Sequence, residues 1–197
     1  MHRTCTILGI LFTCFAVTPA DLYADGVDFQ VTPDRPYYLE IDKSERLLRV
    51  KFAGNTYKQY HIAYGRGEAG GKQLLGDRRT PEGIYRIAGF NPRSQFHFFI
   101  RLNYPNVKDA FAGLHNKIIS ESEFSQIIDS LKFGKLPPQN TALGGAIGIH
   151  GIGLETADKL KIHSGLNWTK GCVALTNDGI SSLRRYVAIG TEVVIKE

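Results

Sequence analysis

The sequence predicts a mostly β domain with a few short helices, one of them in an inserted segment, on three observations. Short aromatic-rich runs of alternating polarity, broken by Gly and Asn, recur from Tyr37 to Ile87, and such runs read as antiparallel strands. One well-capped amphipathic stretch lies between about Glu121 and Lys132, and Gly-rich apolar segments return from Thr141 onward.

In chain order, Met1-His2-Arg3 supplies a short basic start and Thr4 to Val17 is an apolar run. Its fourteen residues are too few to span a bilayer as a helix, which takes ~20. Small residues at Ala20 and Ala24 suit the end of a signal peptide, and the chain then turns polar. Residues 1–24 are therefore expected to be a cleaved export signal, leaving no transmembrane segment in the mature protein. Asp25 to Pro36, polar and with Pro33 and Pro36, reads as a leader arm, and residues 37–197 as one domain. The 173 residues beyond Ala24 suffice for a substantial core. The formal charge of +5 favours weak attraction to anionic surfaces such as cell-wall polymers, and is equally a solubility feature. No basic stretch interleaved with aromatics points to a nucleic-acid partner.

Tyr37-Tyr38-Leu39-Glu40-Ile41, Arg46 to Phe52 and Thr56 to Tyr64 alternate and are separated by Asp42 to Glu45 and by Gly54-Asn55, which predicts a β meander. Gly65-Arg66-Gly67-Glu68-Ala69-Gly70 has dinucleotide-loop spacing, but Gly71, Gly76 and Pro81 crowd the place where the required helix would begin. It reads as a flexible connection. Thr80-Pro81-Glu82-Gly83 is a proline-led turn into another strand. Asn91 to Asn140 is less regular and reads as an insertion; within it Ser120 and Glu123 make a capping box, and Phe124, Ile127, Ile128 and Leu131 share one helical face. Thr141 to Gly151 returns as a Gly-rich strand. Thr176 or Asn177 caps a last helix through Tyr186, and Thr191 to Lys196 ends the chain as a strand.

Cys5 and Cys14 fall inside the expected signal, so the mature chain keeps one thiol, Cys172. Exported proteins usually pair their cysteines or lack them, and a nucleophile held beside a histidine is the best reason for a lone one. A thiol near its free pKa of ~8.5 is mostly protonated at neutral pH and needs a neighbouring imidazole or similar support. His150 is the natural base. It ends the apolar run Ile147-Gly148-Ile149, and Gly151 after it lets a backbone carbonyl approach and fix the tautomer. Gly171 permits a tight turn, from which the Gly171 and Cys172 amides can point at a developing oxyanion. Each piece also has a plainer reading: a small buried apolar residue for the cysteine, a hydrogen-bonded structural residue for the histidine. His150, His163 and Cys172 match no zinc spacing, so neither metal nor cofactor is expected. Trp168 and Thr169 are candidates for the wall of a substrate groove, with His97 and Tyr104 lining it from the insertion; packing roles fit these residues equally.

Ile149-His150-Gly151 followed by Thr169-Lys170-Gly171-Cys172-Val173 resembles the L,D-transpeptidase catalytic domain, in which a histidine-glycine pair precedes a Ser/Thr-x-Gly-Cys-hydrophobe motif. The resemblance continues through Gly76-Asp77, Thr80-Pro81-Glu82-Gly83-Ile84-Tyr85, and Asn91-Pro92 with Ser94, Phe96 and His97, which are similar to one exported bacterial branch. It covers roughly residues 37 to 197. It implies a β-sandwich or barrel-like fold with the thiol in a groove, acting in the periplasm on peptidoglycan stem peptides. By the same resemblance Cys172 is the nucleophile and His150 its base and acid. Cys172 attacks the carbonyl of the L-centre of the third residue of a tetrapeptide, meso-diaminopimelate, and releases D-alanine. A diaminopimelate amine then gives a 3-3 cross-link, a lysine of an outer-membrane lipoprotein gives an anchor, and water gives a carboxypeptidase or an anchor-cleaving hydrolase. Three positions depart from the family pattern. Lys170 stands where many relatives have histidine, Ala174 where many have arginine, and Asn167 where aspartate often precedes Trp-Thr. They bear on the acceptor and on carboxylate recognition, not on nucleophile or base.

Two other classes compete. A papain-type hydrolase places its cysteine before its histidine and at a helix start, the reverse of the order here. A catalytically silent wall-binding module keeps the fold and predicts an unreactive Cys172 that alkylates slowly.

Overall fold

The computed structural model describes residues 37–197, so the expected signal and leader arm lie outside the described residues. Tyr37–Asp42 (β1), Leu47–Phe52 (β2) and Asn55–His61 (β3) form the predicted antiparallel meander. Alternation turns Leu39, Ile41, Leu48 and Val50 into the core. Ala53 and Gly54 make the β2–β3 turn with φ of 46° and 81°, the left-handed pair that a tight hairpin requires.

Gly83–Asn91 (β4), Phe99–Leu102 (β5), Gly148–His150 (β6), Val173–Ala174 (β7) and Glu192–Lys196 (β8) complete one eight-stranded sheet in the order β3-β2-β1-β8-β4-β5-β6-β7. The chain's last strand thus enters the middle of the sheet, parallel to β1 and antiparallel to β4. The two ends of the sheet meet. Just beyond β3, Ala63 and Ala174 exchange hydrogen bonds of 3.0 and 2.7 Å, and Gly65 bridges Thr169. The sheet therefore curls nearly closed, giving the mostly β, barrel-like architecture expected, and Leu39, Ile87, Ile100, Ile149, Val173 and Val193 fill its interior.

Among the described residues four short helices accompany the sheet: Val107–His115 (α1), Glu121–Lys132 (α2), Ala157–Gly165 (α3) and Asn177–Leu183 (α4), the last running into a single 3-10 turn, Arg184–Tyr186. The Ser120/Glu123 capping box and the bounds of α2 agree with the sequence pattern. Residues 91–140 are only partly an insertion, because β5 lies inside the sheet between β4 and β6. Its four residues are too short a run, with Arg101 breaking the apolar pattern, to stand out as a strand. The helix α1 is capped by an Asn106/Asp109 box placed directly after Pro105, and it packs with α2 around Ala110, Ile119, Ile127 and Leu143. Of the stretch Thr141 to Gly151, only Gly148–His150 is strand. The glycine segment after Tyr64 is packed against residues 77–80: a Cβ on Gly65 or Gly67 would lie 2.3 Å from Arg78 O or 2.4 Å from Asp77 O.

A buried polar lock ties β4 to α1. The Tyr85 hydroxyl donates to the Asp109 carboxylate at 2.9 and 3.2 Å, and the Asn106 amide donates to the same group at 2.8 Å. Burial pushes the Asp109 carboxyl up to about 6. Tyr85→Phe leaves that carboxylate short of one buried donor and is expected to cost about 1–3 kcal/mol, read as a lower urea midpoint. An unchanged midpoint would dismiss the lock.

Candidate active site

The parallel pairing of β6 with β7 sets Ile149 opposite Val173 and His150 opposite Ala174. Carried one residue back, that register places Cys172 beside Gly148. Alternate residues of a strand share a face, so His150 and Cys172 emerge on the same side of adjacent strands, two positions apart in register. Ile149 and Val173, between them in the alternation, point into the core.

The Cys172 thiol is half-buried. It donates to Ala146 O at 3.4 Å and receives the Gly148 amide. Ala146 holds φ at 53°, with its own N–H fixed 2.8 Å from Gln139 Oε1, so its carbonyl is aimed by a constrained turn. Burial pushes the thiol up to about 11, while the Gly148 amide and the charges of Lys72 and Arg101 pull the other way. His150 is 3% exposed, and its Nδ1 lies 2.6 Å from Gly151 O. A carbonyl only accepts, so Nδ1 carries the proton and Nε2 is the basic nitrogen. Burial holds the imidazole below its ordinary pKa, against the opposing pull of that hydrogen bond. At neutral pH the pair rests as thiol and neutral imidazole.

The surroundings fix this arrangement. Phe96 stacks on the His150 ring at 4.4 Å, Phe99 lies parallel to it at 6.2 Å, and Trp168 meets it edge-on at 5.9 Å. Gly151 has no room for a side chain: a Cβ would stand 2.6 Å from Asn177 Oδ1 and 2.7 Å from Phe96 O. Asn177, the first residue of α4, accepts from the Ile152 and Gly153 amides at 3.1 and 3.2 Å and donates to Gly153 O at 2.7 Å. It thereby clamps the turn whose carbonyl orients the histidine. On the side of the thiol, Thr169 Oγ1 donates to Cys172 O at 2.6 Å and accepts from the Gly171 amide at 3.1 Å, stapling the turn in which Gly171 holds φ at 133°.

These contacts revise several expectations. The Gly171 amide already binds Thr169, so it is not an open oxyanion donor. Thr169 itself is 4% exposed and holds the turn rather than facing a groove. Tyr104 is fully buried with its hydroxyl on Leu143 O at 3.0 Å, so it belongs to the core and not to a groove. His97 turns toward α4, its Nε2 3.0 Å from Ser181 Oγ, and its neighbour Phe96 takes the place against His150. Trp168 does stand beside the site, half-buried, with its indole N–H on His163 Nδ1 at 3.4 Å. Lys170 is exposed, and Asn167 Oδ1 accepts from the Tyr64 amide at 3.3 Å. Asn177 was legible only as a helix cap, and Phe99 only as one aromatic among several. Among the described residues no three His, Cys, Asp or Glu side chains gather closely enough to hold a metal ion.

A strand-borne histidine and a turn-borne cysteine on a curled mixed sheet define the class. Residues 36–195 match the model of the L,D-transpeptidase catalytic domain, and the chain belongs to that family. Among individual proteins it is similar to YafK of Escherichia coli K12, whose name puts it among the L,D-transpeptidases. The identity is 32% over 90 residues, 43% of this chain and 37% of YafK. Its fold is similar to that of the helical cell shape determining protein Pgp2 from Campylobacter jejuni, with a TM-score of 0.53 and 23% identity over 83% of this chain and 48% of Pgp2. Bd1075 of Bdellovibrio bacteriovorus gives 0.50 and 21%, over 85% of this chain and 50% of that one. The chain thus spans about half the length of these solved structures and less of YafK.

The buried histidines set an acid limit on stability. His163 is 3% exposed, its Nε2 has no partner, and burial, with the charges of His61, Arg46 and His150, lowers it to about 4. The unfolded chain titrates near ~6.5 and binds more protons in between, so stability is full above that value and is lost as pH falls toward 4. His163→Gln is expected to remove on the order of 2–3 kcal/mol of that loss. Denaturation at pH 7 and pH 4.5 measures it, and an unaltered pH dependence in the variant would refute it.

Proposed function

We propose that the chain is a peptidoglycan acyltransferase of the L,D type, working through a Cys172 thioester on stem tetrapeptides. The observation that carries the reading is the tautomer lock. With Nδ1 tied to Gly151 O, the only basic nitrogen of His150 is Nε2, and the β6–β7 register puts that imidazole on the same face as the sulfur. As Sγ attacks the carbonyl carbon at the L-centre of the third residue, its proton passes to Nε2 and the C–S bond forms. The Cys172 amide is the donor this turn can still offer the oxyanion, since that of Gly171 is engaged. His150 then protonates the departing D-alanine nitrogen as the C–N bond breaks. An incoming amine gives up its proton to Nε2 and takes the acyl group, restoring the thiol. A diaminopimelate amine yields a 3-3 cross-link, a lysine of a wall-anchored lipoprotein yields an anchor, and water yields the tripeptide.

Family membership and the fold likeness to Pgp2, a cell shape determinant, support a wall substrate. The basic, apolar and small-residue pattern of residues 1–24 supports export to the periplasm. A thiol raised by burial would itself alkylate slowly at neutral pH, so sluggish labelling does not separate an enzyme from a silent module; turnover does.

Cys172→Ala is expected to abolish tetrapeptide turnover while shifting the melting temperature little, because Sγ contributes only two weak hydrogen bonds, one donated to Ala146 O and one accepted from the Gly148 amide. Mass spectrometry of muropeptides incubated with and without an added amine reads the outcome: cross-links show transfer, tripeptides show hydrolysis, and turnover surviving in the variant ends the mechanism. The base must be unprotonated, and burial lowers His150, so kcat/KM is expected to hold flat across neutral pH and fall only below ~6.5. An acid limb centred above pH 7 would exclude His150 as that base.

A further inference from the structure

The pairing of β5 with β6 extends the face that carries the thiol. Phe99 lies opposite His150 and Arg101 opposite Gly148, so Phe99, Arg101, Gly148, His150, Cys172 and Ala174 share one side, while Ile100, Leu102, Ile149 and Val173 fill the core. Of these six, Arg101 is the cation. Its guanidinium lies over the Phe99 ring, with Cζ 5.7 Å from the centroid, and the same ring lies 6.2 Å from that of His150. A Cβ on Gly148 would strike that ring at 2.5 Å, so the phenyl covers the bare backbone of Gly148 and forms a floor joining cation to imidazole.

Two positive charges act on the Cys172 sulfur, those of Lys72 and Arg101. Lys72 is engaged: its Nζ donates to Asp77 Oδ1 and to Leu74 O, both at 2.8 Å. Arg49, Arg79 and Arg86 likewise each hold a carboxylate. Arg101 is half-buried beside the nucleophile and, among the described residues, has no carboxylate within 4.0 Å. A guanidinium kept partly out of water beside a thiol, with no anion of its own, is a seat for the anion of a ligand.

We infer that Arg101 is the specificity residue of this site, pairing with a free carboxylate of the donor peptide next to the scissile bond. The inference rests on the reading under Proposed function. With strands ~4.8 Å apart, Arg101 and Cys172 stand two strand spacings apart across Gly148, a gap the long arginine side chain bridges in part. The carboxylate of a residue departing from the scissile carbonyl lies about one residue repeat, ~3.8 Å, beyond it. The planar fork of the guanidinium takes a carboxylate through two parallel N–H donors. Two carboxylates of the donor have this chemistry: that of the terminal D-alanine, and that of the diaminopimelate side chain. Ala174, which shares the face, offers only a methyl.

The test is steady-state turnover by wild type, Arg101→Gln and Arg101→Lys of three donors: the free-acid tetrapeptide, its C-terminal amide, and a tetrapeptide with lysine in place of diaminopimelate. For the free acid, Arg101→Gln is expected to lower kcat/KM by about 10- to 100-fold, mainly through KM, with Arg101→Lys in between and the melting temperature held. The penalty should vanish on the amide if the terminal carboxylate is the partner, or on the lysine donor if the side-chain carboxylate is. A penalty that persists undiminished on both, or wild-type kinetics in Arg101→Gln, overturns the inference. A binding arm separates it from the enzymatic reading: free-acid donor is titrated into Cys172→Ala and into Cys172→Ala/Arg101→Gln by calorimetry. Tighter binding by the former alongside an inactive wild type would fail the proposed reaction and keep Arg101; equal binding would fail Arg101.

Discussion

The hydrogen bond from His150 Nδ1 to the Gly151 carbonyl is the constraint on which the site depends. It decides which nitrogen is basic, and it does so with a neutral dipole where many catalytic histidines use a carboxylate. Among the described residues no carboxylate is hydrogen-bonded to the ring to stabilise an imidazolium, which agrees with an imidazole held below its ordinary pKa. The bond needs a carbonyl turned back on the side chain that precedes it. That turn exists because Gly151 admits Asn177 and Phe96 O to within the volume of a methyl group, and because Asn177 pins the following two amides. The start of α4 is thus part of the geometry of the site without bringing a reactive group to it.

The Cys172 thiol is held by a different device, the closure of the sheet on itself. The turn bearing Cys172 hangs between the end of the meander, through Ala63 and Tyr64, and β6, through the Leu175 amide on His150 O at 2.8 Å. Thr169 staples it internally and bonds through its own amide to Tyr64 O at 3.1 Å. Relative placement of sulfur and imidazole is accordingly set by backbone ladders on both sides, and the apolar alternates Ile149 and Val173 anchor those ladders in the core.

The sequence was legible where periodicity or capping acts over a long enough run. The meander has three alternating strands with turn residues between them, and α2 has a capping box and a clean apolar face, so both stand out. The strand β5 does not, because four residues carry little period and one is arginine; its placement inside the sheet comes from pairing on both edges, which is tertiary information. Helix α1 hides behind Pro105, where a loop is the simpler local reading. At the site, His150 and Cys172 were legible from residue chemistry and from the motif resemblance. Tyr104, Thr169 and His97 were misplaced because polar-aromatic composition does not reveal which way a side chain turns. Phe96 and His97 differ by one position, and that single step exchanges a contact with the imidazole for one with α4.

The protonated resting state of Cys172 has a chemical consequence. Peroxide oxidation and thiol–disulfide exchange both proceed through the thiolate, and a sulfur pushed up to about 11 presents almost none of it at neutral pH. The chain thus shelters its one described thiol from stray oxidants and from mixed disulfides. A sulfur so rarely ionised at rest resists both reactions without a partner cysteine to guard it.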